Sequence, residues 1–241
     1  MATQSLEPKP WMLQGDAKRE AVKGLFAEIA PKYDLLNSLM SLHLHHRWRA
    51  AAVRELELSS GALALDVCCG TGDFFAPLRK AVGTSGTVLG VDFCLPMLEI
   101  AERKLPREPV HLGDACRLPF RNGHFDSVSV GWGIRNVPDI DGAHREAYRV
   151  LQTGGRFVSL DMAQPKNRLI RAASGFIALR IMPFLGRVLS NKTAYKYLPE
   201  SSKRFLSREE LKSSMEAAGF VDVRWRDLFL GNICIHVGRK P

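Results

Sequence analysis

The stretch Leu63-Ala64-Leu65-Asp66-Val67-Cys68-Cys69-Gly70-Thr71-Gly72-Asp73 constrains this chain more than any other. Its first five residues suit a strand buried on both faces. Two glycines one residue apart suit a turn, and the residues through Val82 then read as a helix. A strand running through a glycine turn into a helix opens a βα unit. In open α/β sheets, ligands bind beyond the carboxyl ends of such strands.

The alternation continues downstream. Strands are expected over Ala62 to Val67, Thr87 to Val91, Val110 to Leu112, Phe125 to Val130 and Arg156 to Asp161. Helices are expected after Gly72, from Pro96 to Lys104 and from Gly142 to Leu151, with Thr153-Gly154-Gly155 as a loop. Strands alternating with helices imply a parallel sheet with right-handed crossovers. The last helix runs from Ser207 to Ala218, with Ser207 and Glu210 in capping-box spacing. Val221 to Leu228 and Asn232 to Val237 are then two strands joined too closely for a parallel crossover, so they form an antiparallel hairpin.

A length of 241 residues fits one domain. Residues 1–18, with Pro8 and Pro10 and little periodicity, read as a flexible arm before a single domain over 19–241. Within it, 19–60 reads as a helical cap broken at Pro31, and 163–206 as an insert. The arm lacks the apolar centre of a signal peptide. The apolar tract from Phe176 to Leu185 is interrupted by Arg180 and Pro183 and falls short of the ~20 residues that span a bilayer. The chain therefore reads as cytoplasmic. Five cysteines without paired spacing argue for a reducing compartment. Between Ala163 and Glu210, ten Lys and Arg face three Glu, a concentration that points to an anionic neighbour, either lipid headgroups or nucleic acid. His43, His45 and His46 have no nearby Cys or carboxylate to complete a ligand set, so no metal is expected and a polar lining for the cap is the better reading.

Two ligands compete for the glycine turn. A dinucleotide reader needs a third glycine where this chain has Phe75, and Asp73 would repel a pyrophosphate. S-adenosylmethionine carries no phosphate but has a cationic amino group and a sulfonium, which Asp66 and Asp73 suit. Asp92, at the end of the second strand, is placed for ribose hydroxyls, and Asp114-Ala115 for the adenine edge. Carboxylates at successive strand ends favour the methyl donor.

Longer motifs make a resemblance specific. They are Phe26 to Asn37, Ser41 with His45 and Trp48, Leu65 to Asp73, Leu118-Pro119-Phe120, Gly133-Ile134-Arg135-Asn136-Val137 and Tyr195 to Ser201. From about Val22 to Lys240 the chain resembles the quinone-biosynthesis C-methyltransferases that act on demethylmenaquinol and on the ubiquinol precursor. The resemblance implies a class I, Rossmann-like methyltransferase with a mostly parallel seven-stranded sheet, a helical N-terminal cap and an insert before the last helix. It implies S-adenosylmethionine as donor, held by Gly70, Thr71 and Gly72 in the turn, Asp66, Asp92, Asp114, Ala115 and Gly131. Gly131 stands where several members carry serine, leaving its backbone to make that contact. His43 stands where glycine is usual, and Asp161 where glutamate is common.

The reaction so implied is methylation of an electron-rich quinol carbon beside a hydroxyl. Arg135 and Asn136 are the expected catalytic pair, the guanidinium favouring phenolate character at the adjacent oxygen. Tyr33, His45, Trp132 and Tyr195 are expected around the quinol, and His45, Tyr195, Asp161 or a water as any general base. The isoprenoid tail implies peripheral association with anionic membrane on its inner face, through residues 170–189. A homodimer is left open. Nucleic acid is not the expected partner: the Asn/Asp-Pro-Pro-aromatic turn of base N-methylation is absent, and no cysteine follows a proline. Alternatives are another small aromatic or lipid substrate, or a non-catalytic donor-binding subunit of a quinone-synthesis complex.

Overall fold

A computed structural model of the chain describes residues 9–176, 197 and 200–241. Seven strands form one sheet: β1 (Leu63–Val67), β2 (Thr87–Asp92), β3 (Val110–Leu112), β4 (Phe125–Gly131), β5 (Leu151–Met162), β6 (Val221–Leu228) and β7 (Ile233–Arg239). Their order is β3-β2-β1-β4-β5-β7-β6. Only β7 runs against its neighbours, pairing antiparallel with both β5 and β6 as the short hairpin link requires. The strand order reverses between β1 and β4, which lie side by side in parallel, and a crevice opens there at the strands' carboxyl ends.

Helices cover both faces. The cap comprises α1 (Gly15–Ile29), a 3-10 turn at Ala30–Lys32, α2 (Tyr33–Ser41) and α3 (Leu44–Glu55). Pro31 forces the 3-10 turn, since it lacks the N–H an α-helix would continue with. α4 (Phe75–Val82), α5 (Leu95–Lys104) and α6 (Ile140–Val150) follow β1, β2 and β4, and α7 (Arg208–Ala217) precedes β6. Phe75, Leu78 and Val82 on α4 pack with Ala52, Val53 and Leu56 of the α3 side against Val158 and Ile235. On the other face, Ala143, Ala147 and Val150 of α6 join Met215 and Phe220 over Val128 and Phe157. Burying each such large apolar side chain contributes roughly 1.5–3 kcal/mol. The cap is thus part of the core on one face and also a wall of the crevice.

Two boundaries differ from expectation. α1 begins at Gly15, so the arm ends earlier than residue 18 and Lys18 lies in the helix's first turn. β5 begins at Leu151, because Gly154 and Gly155 exchange backbone hydrogen bonds with Lys240 rather than looping out. The positive φ of Gly154 accompanies a register shift between Phe125 and Ser127 on the paired β4. The capping box is present, Ser207 Oγ accepting from Glu210 N at 3.2 Å and Glu210 accepting from Ser207 N at 2.8 Å. No helix among the described residues is long and apolar enough to cross a membrane. Of the insert, residues 168–176 are helical, while most of 177–199 lies outside the described residues.

Candidate active site

Each wall of the crevice comes from a different segment. Phe26 and Tyr33 come from the cap, Cys68 and Gly70 from the turn after β1, and Asp92, Phe93 and Met97 from the end of β2 and α5. Asp114 and Ala115 follow β3, and Gly131 to Gly133 with Asn136 to Pro138 follow β4.

The donor side is built on two aspartates. Asp92 accepts from Gly70 N through one oxygen and from Cys94 N through the other, both at 2.9 Å. These bonds tie the glycine turn to the end of β2. Burial nevertheless pushes the Asp92 carboxyl up to about 6. Each carboxylate oxygen has a second lone pair, so Asp92 retains acceptor capacity for a diol. Asp114 accepts from Cys116 N at 2.8 Å and from Arg19 Nη1 at 2.8 Å. An acidic lining with apolar Phe93, Met97 and Ala115 suits adenosine, and Arg19, a cation of that lining, is already paired with Asp114. The residues therefore fit S-adenosylmethionine.

Four residues expected to serve the donor do not line the crevice. Asp66 is buried against Ser129 Oγ at 2.7 Å and pushed up to about 7 by that burial, so it braces β1 against β4. The Thr71 hydroxyl donates to Asp34 of the cap at 2.5 Å. Gly72 has φ +84°, and a Cβ there would meet Leu105 and Phe75. Its role is to let the turn close. Asp73 serves protein cations rather than the donor. Although burial alone would raise its carboxyl, Arg49, Lys104 and His45 hold it below the usual range.

On the acceptor side, Trp132 and Asn136 line the crevice and Arg135 does not. Arg135 forms a buried ion pair with Asp161 at the end of β5. In the structure the Arg135 guanidinium thus anchors the loop from beneath rather than lining the crevice. Its charge still reaches the site, opposing the upward push that burial exerts on the phenols of Tyr33 and Tyr197. Asn136 is oriented at both ends: Nδ2 donates to Trp132 O at 2.9 Å, and Oδ1 accepts from Tyr197 Oη at 2.9 Å. Tyr195 lies outside the described residues, so within this motif the described contact to the loop comes from Tyr197.

His45 is buried and does not line the crevice. Burial, followed by the charge of Arg49, lowers it to about 4, so the ring is neutral at pH 7. Its Nδ1 faces Arg49 Nη1, which makes it a strut for that guanidinium rather than a base open to substrate. Arg49 in turn lies 4.6 Å from the Trp132 ring centroid and 3.1 Å from Asp73. Sequence reading missed Arg49 because it sits inside an ordinary helical pattern and its partners are distant in sequence. The ligand atoms of His43, His45 and His46 lie within 4.8 Å of one another. However, Arg49 occupies His45, and the start of a helix disfavours a cation. His43 adopts φ +60°, a conformation that glycine takes without strain.

The donor turn and acceptor loop interlock at two glycines. A Cβ on Gly131 would fall inside van der Waals contact with the Phe74 ring, and one on Gly133 inside contact with Cys68. The Gly-Trp-Gly run lets the two loops approach while Trp132 faces the crevice.

A parallel sheet with an antiparallel β7, and a crevice acidic at its ribose and adenine positions, define a class I S-adenosylmethionine-dependent methyltransferase acting on a small molecule. The fold is shared with a methyltransferase from Thermotoga maritima described as a possible histamine N-methyltransferase. That match has TM-score 0.67 and 22% identity over 91% of this chain and 100% of that one. The chain belongs to the ubiE/COQ5 methyltransferase family, whose model matches residues 14–240. It is 38% identical over 226 residues to a demethylmenaquinone methyltransferase of Lactiplantibacillus plantarum, covering 91% of this chain and 95% of the relative. A demethylmenaquinone methyltransferase of Staphylococcus saprophyticus is 39% identical over 234 residues, covering 95% and 100%.

Proposed function

We propose that this enzyme methylates a ring carbon of a prenylated quinol, demethylmenaquinol or the corresponding ubiquinol precursor, in respiratory quinone biosynthesis. The observation that carries the reading is the Trp132–Asn136 loop, which sets an aromatic wall and an oriented amide opposite the donor residues. The names of the 38–39% identical relatives support the same acceptor class. Bound donor supplies an electrophilic methyl group. The chain's own residues then have to orient the acceptor and favour negative charge on its oxygen. Tyr33 and Trp132 flank the ring, and Asn136 holds the hydroxyl. Arg49 and Arg135 supply a positive field from behind the wall. His45 and Asp161 do not line the crevice, so of the expected general bases a water, or Tyr195 outside the described residues, carries away the ring proton.

A long isoprenoid tail requires delivery from lipid, and the reading includes peripheral association with the inner face of the cell membrane. Leu35 and Leu39 of α2 and Leu42 at its end support it, standing exposed along one face, as do the basic residues at the start of the insert. The deciding experiment supplies labelled donor with demethylated naphthoquinol and benzoquinol in parallel. Methylation of neither ring overturns the reading, and the ratio of the two rates assigns the ring. Flotation with anionic liposomes tests the membrane component, which absence of binding at low salt would remove.

A further inference from the structure

Lys18 stands in the first turn of α1, and its ammonium reaches the acceptor loop more than a hundred residues away. Nζ donates to Val137 O at 2.7 Å and to Arg135 O at 3.1 Å. These two carbonyls belong to the residues on either side of Asn136. The loop is a single 3-10 turn, Ile134–Asn136, closed by Asn136 N to Gly133 O and Val137 N to Ile134 O. A turn this short ends with carbonyls that have no partner of their own. An ammonium with three donors satisfies both at once and sets the angle at which the intervening residue leaves the backbone.

The neighbouring residue extends the same connection. Arg19 donates to Asp114 on the loop after β3 at 2.8 Å, so adjacent α1 residues bridge the loops on the donor and acceptor sides. Cap packing fixes the reach of both, with Val22 and Leu25 of α1 buried against Tyr197. Tyr197 is also the residue that grips Asn136 Oδ1. Asn136 is therefore held from one side by Tyr197 and through its flanking carbonyls by Lys18, and both holders pack through the same helix.

We propose that Lys18 is a positioning residue, fixing the backbone of the acceptor loop so that Asn136 presents its amide to the substrate. The inference rests on the reading that this loop receives the acceptor. Burial lowers the Lys18 ammonium from its ordinary value, in keeping with a group held for its directed bonds rather than for solvation.

The test compares Lys18→Met, which keeps the apolar stem and removes the donors, with Lys18→Arg, which keeps charge and donors. Measured for each are kcat and KM for the quinol, donor Kd, Tm and amide hydrogen exchange of donor-bound protein. Lys18→Met is expected to lower kcat at least tenfold with donor Kd changed less than twofold. Asn136 and Val137 amides should exchange at least tenfold faster while those of β1 and β4 stay protected. Lys18→Arg is expected to hold kcat within about threefold. Unchanged kcat and exchange in Lys18→Met overturn the proposal. So does a fall in kcat that only parallels losses of Tm and donor affinity. If Lys18→Met does not fold, the same measurements are made on Lys18→Gln, which is uncharged and too short to reach both carbonyls: wild-type Tm with a tenfold lower kcat and faster loop exchange supports positioning, and wild-type kcat and exchange overturn it. Should the wild-type enzyme methylate neither quinol, the functional reading fails, and loop exchange alone still decides the role of Lys18.

Discussion

Arg135 and Asp161 face each other with only 3% of either side chain exposed. Among the described residues they leave one donor, Arg135 Nε, and one acceptor, Asp161 Oδ2, without hydrogen-bond partners. Removing one member of a buried pair strands the other's charge, at a cost of about 3–5 kcal/mol. Arg135→Ala is expected to lose stability on that scale in denaturant melts, together with turnover. The double variant Arg135→Met/Asp161→Leu should recover most of the stability and none of the turnover, which separates the pair's charge from its packing. Recovery of activity as well would show that the field of Arg135 is dispensable.

Asn136 depends on a neutral donor for its orientation. Tyr197→Phe removes the hydroxyl that holds Oδ1, a loss of about 1 kcal/mol. That converts to a roughly fivefold fall in kcat, with donor Kd unchanged by calorimetry. An equal loss of donor affinity would place Tyr197 in the wrong half of the site.

Asp92 should make donor binding sensitive to acid. Its carboxyl is raised to about 6, so protonation removes a charged acceptor as pH falls through that value. Wild-type donor Kd is expected to weaken from pH 7.5 to 5.5. Asp92→Asn should bind about 10–100-fold more weakly at pH 7.5, with a flat profile. A wild-type profile without this inflection would refute the assignment.

Asp66 gives a stability prediction of opposite character. Its folded value is about 7, above an unfolded value of about 3.9. Charging the group therefore disfavours the folded state above pH 7, and this cost fades as pH falls toward 4. Without donor, Asp66→Asn should be more stable than wild type at pH 8. The gap should narrow steadily on acidification, read from Tm at each pH.

The Gly131–Phe74 contact predicts non-additivity. Gly131→Ser introduces a side chain where the ring lies, and overpacking of this kind costs typically 1–3 kcal/mol. Adding Phe74→Ala should restore part of that loss, giving a coupling of at least 0.5 kcal/mol in a double-mutant cycle. Strict additivity would mean that the two loops do not compete for that volume.

The sheet was legible in the chain because its periodicities are local. Val110 to Leu112 was read to the residue, and the hairpin followed from its short link. Asp92 and Asp114 were legible as crevice residues because strand ends place them there, and Asn136 through the motif that carries the family resemblance. Lys18 and Arg19 were not, since their neighbourhood is proline-bearing and aperiodic and their partners lie on distant loops. Arg135 shows what sequence leaves out: its chemistry suits an oxyanion, and in the structure Asp161 on β5 pairs with its guanidinium. Sequence spacing ranks chemical fitness, whereas burial and competing partners decide who faces the substrate.

Cys68 lines the crevice that receives a methylating agent, with its backbone at φ +55°. A thiolate there would be a strong nucleophile toward a sulfonium. Burial first, then the carboxylates of Asp92 and Asp66, push its thiol well above the ordinary range, so it stays protonated. Burial at the crevice wall, seconded by the charges of Asp92 and Asp66, thus favours a neutral thiol, a weak nucleophile, beside the methyl donor.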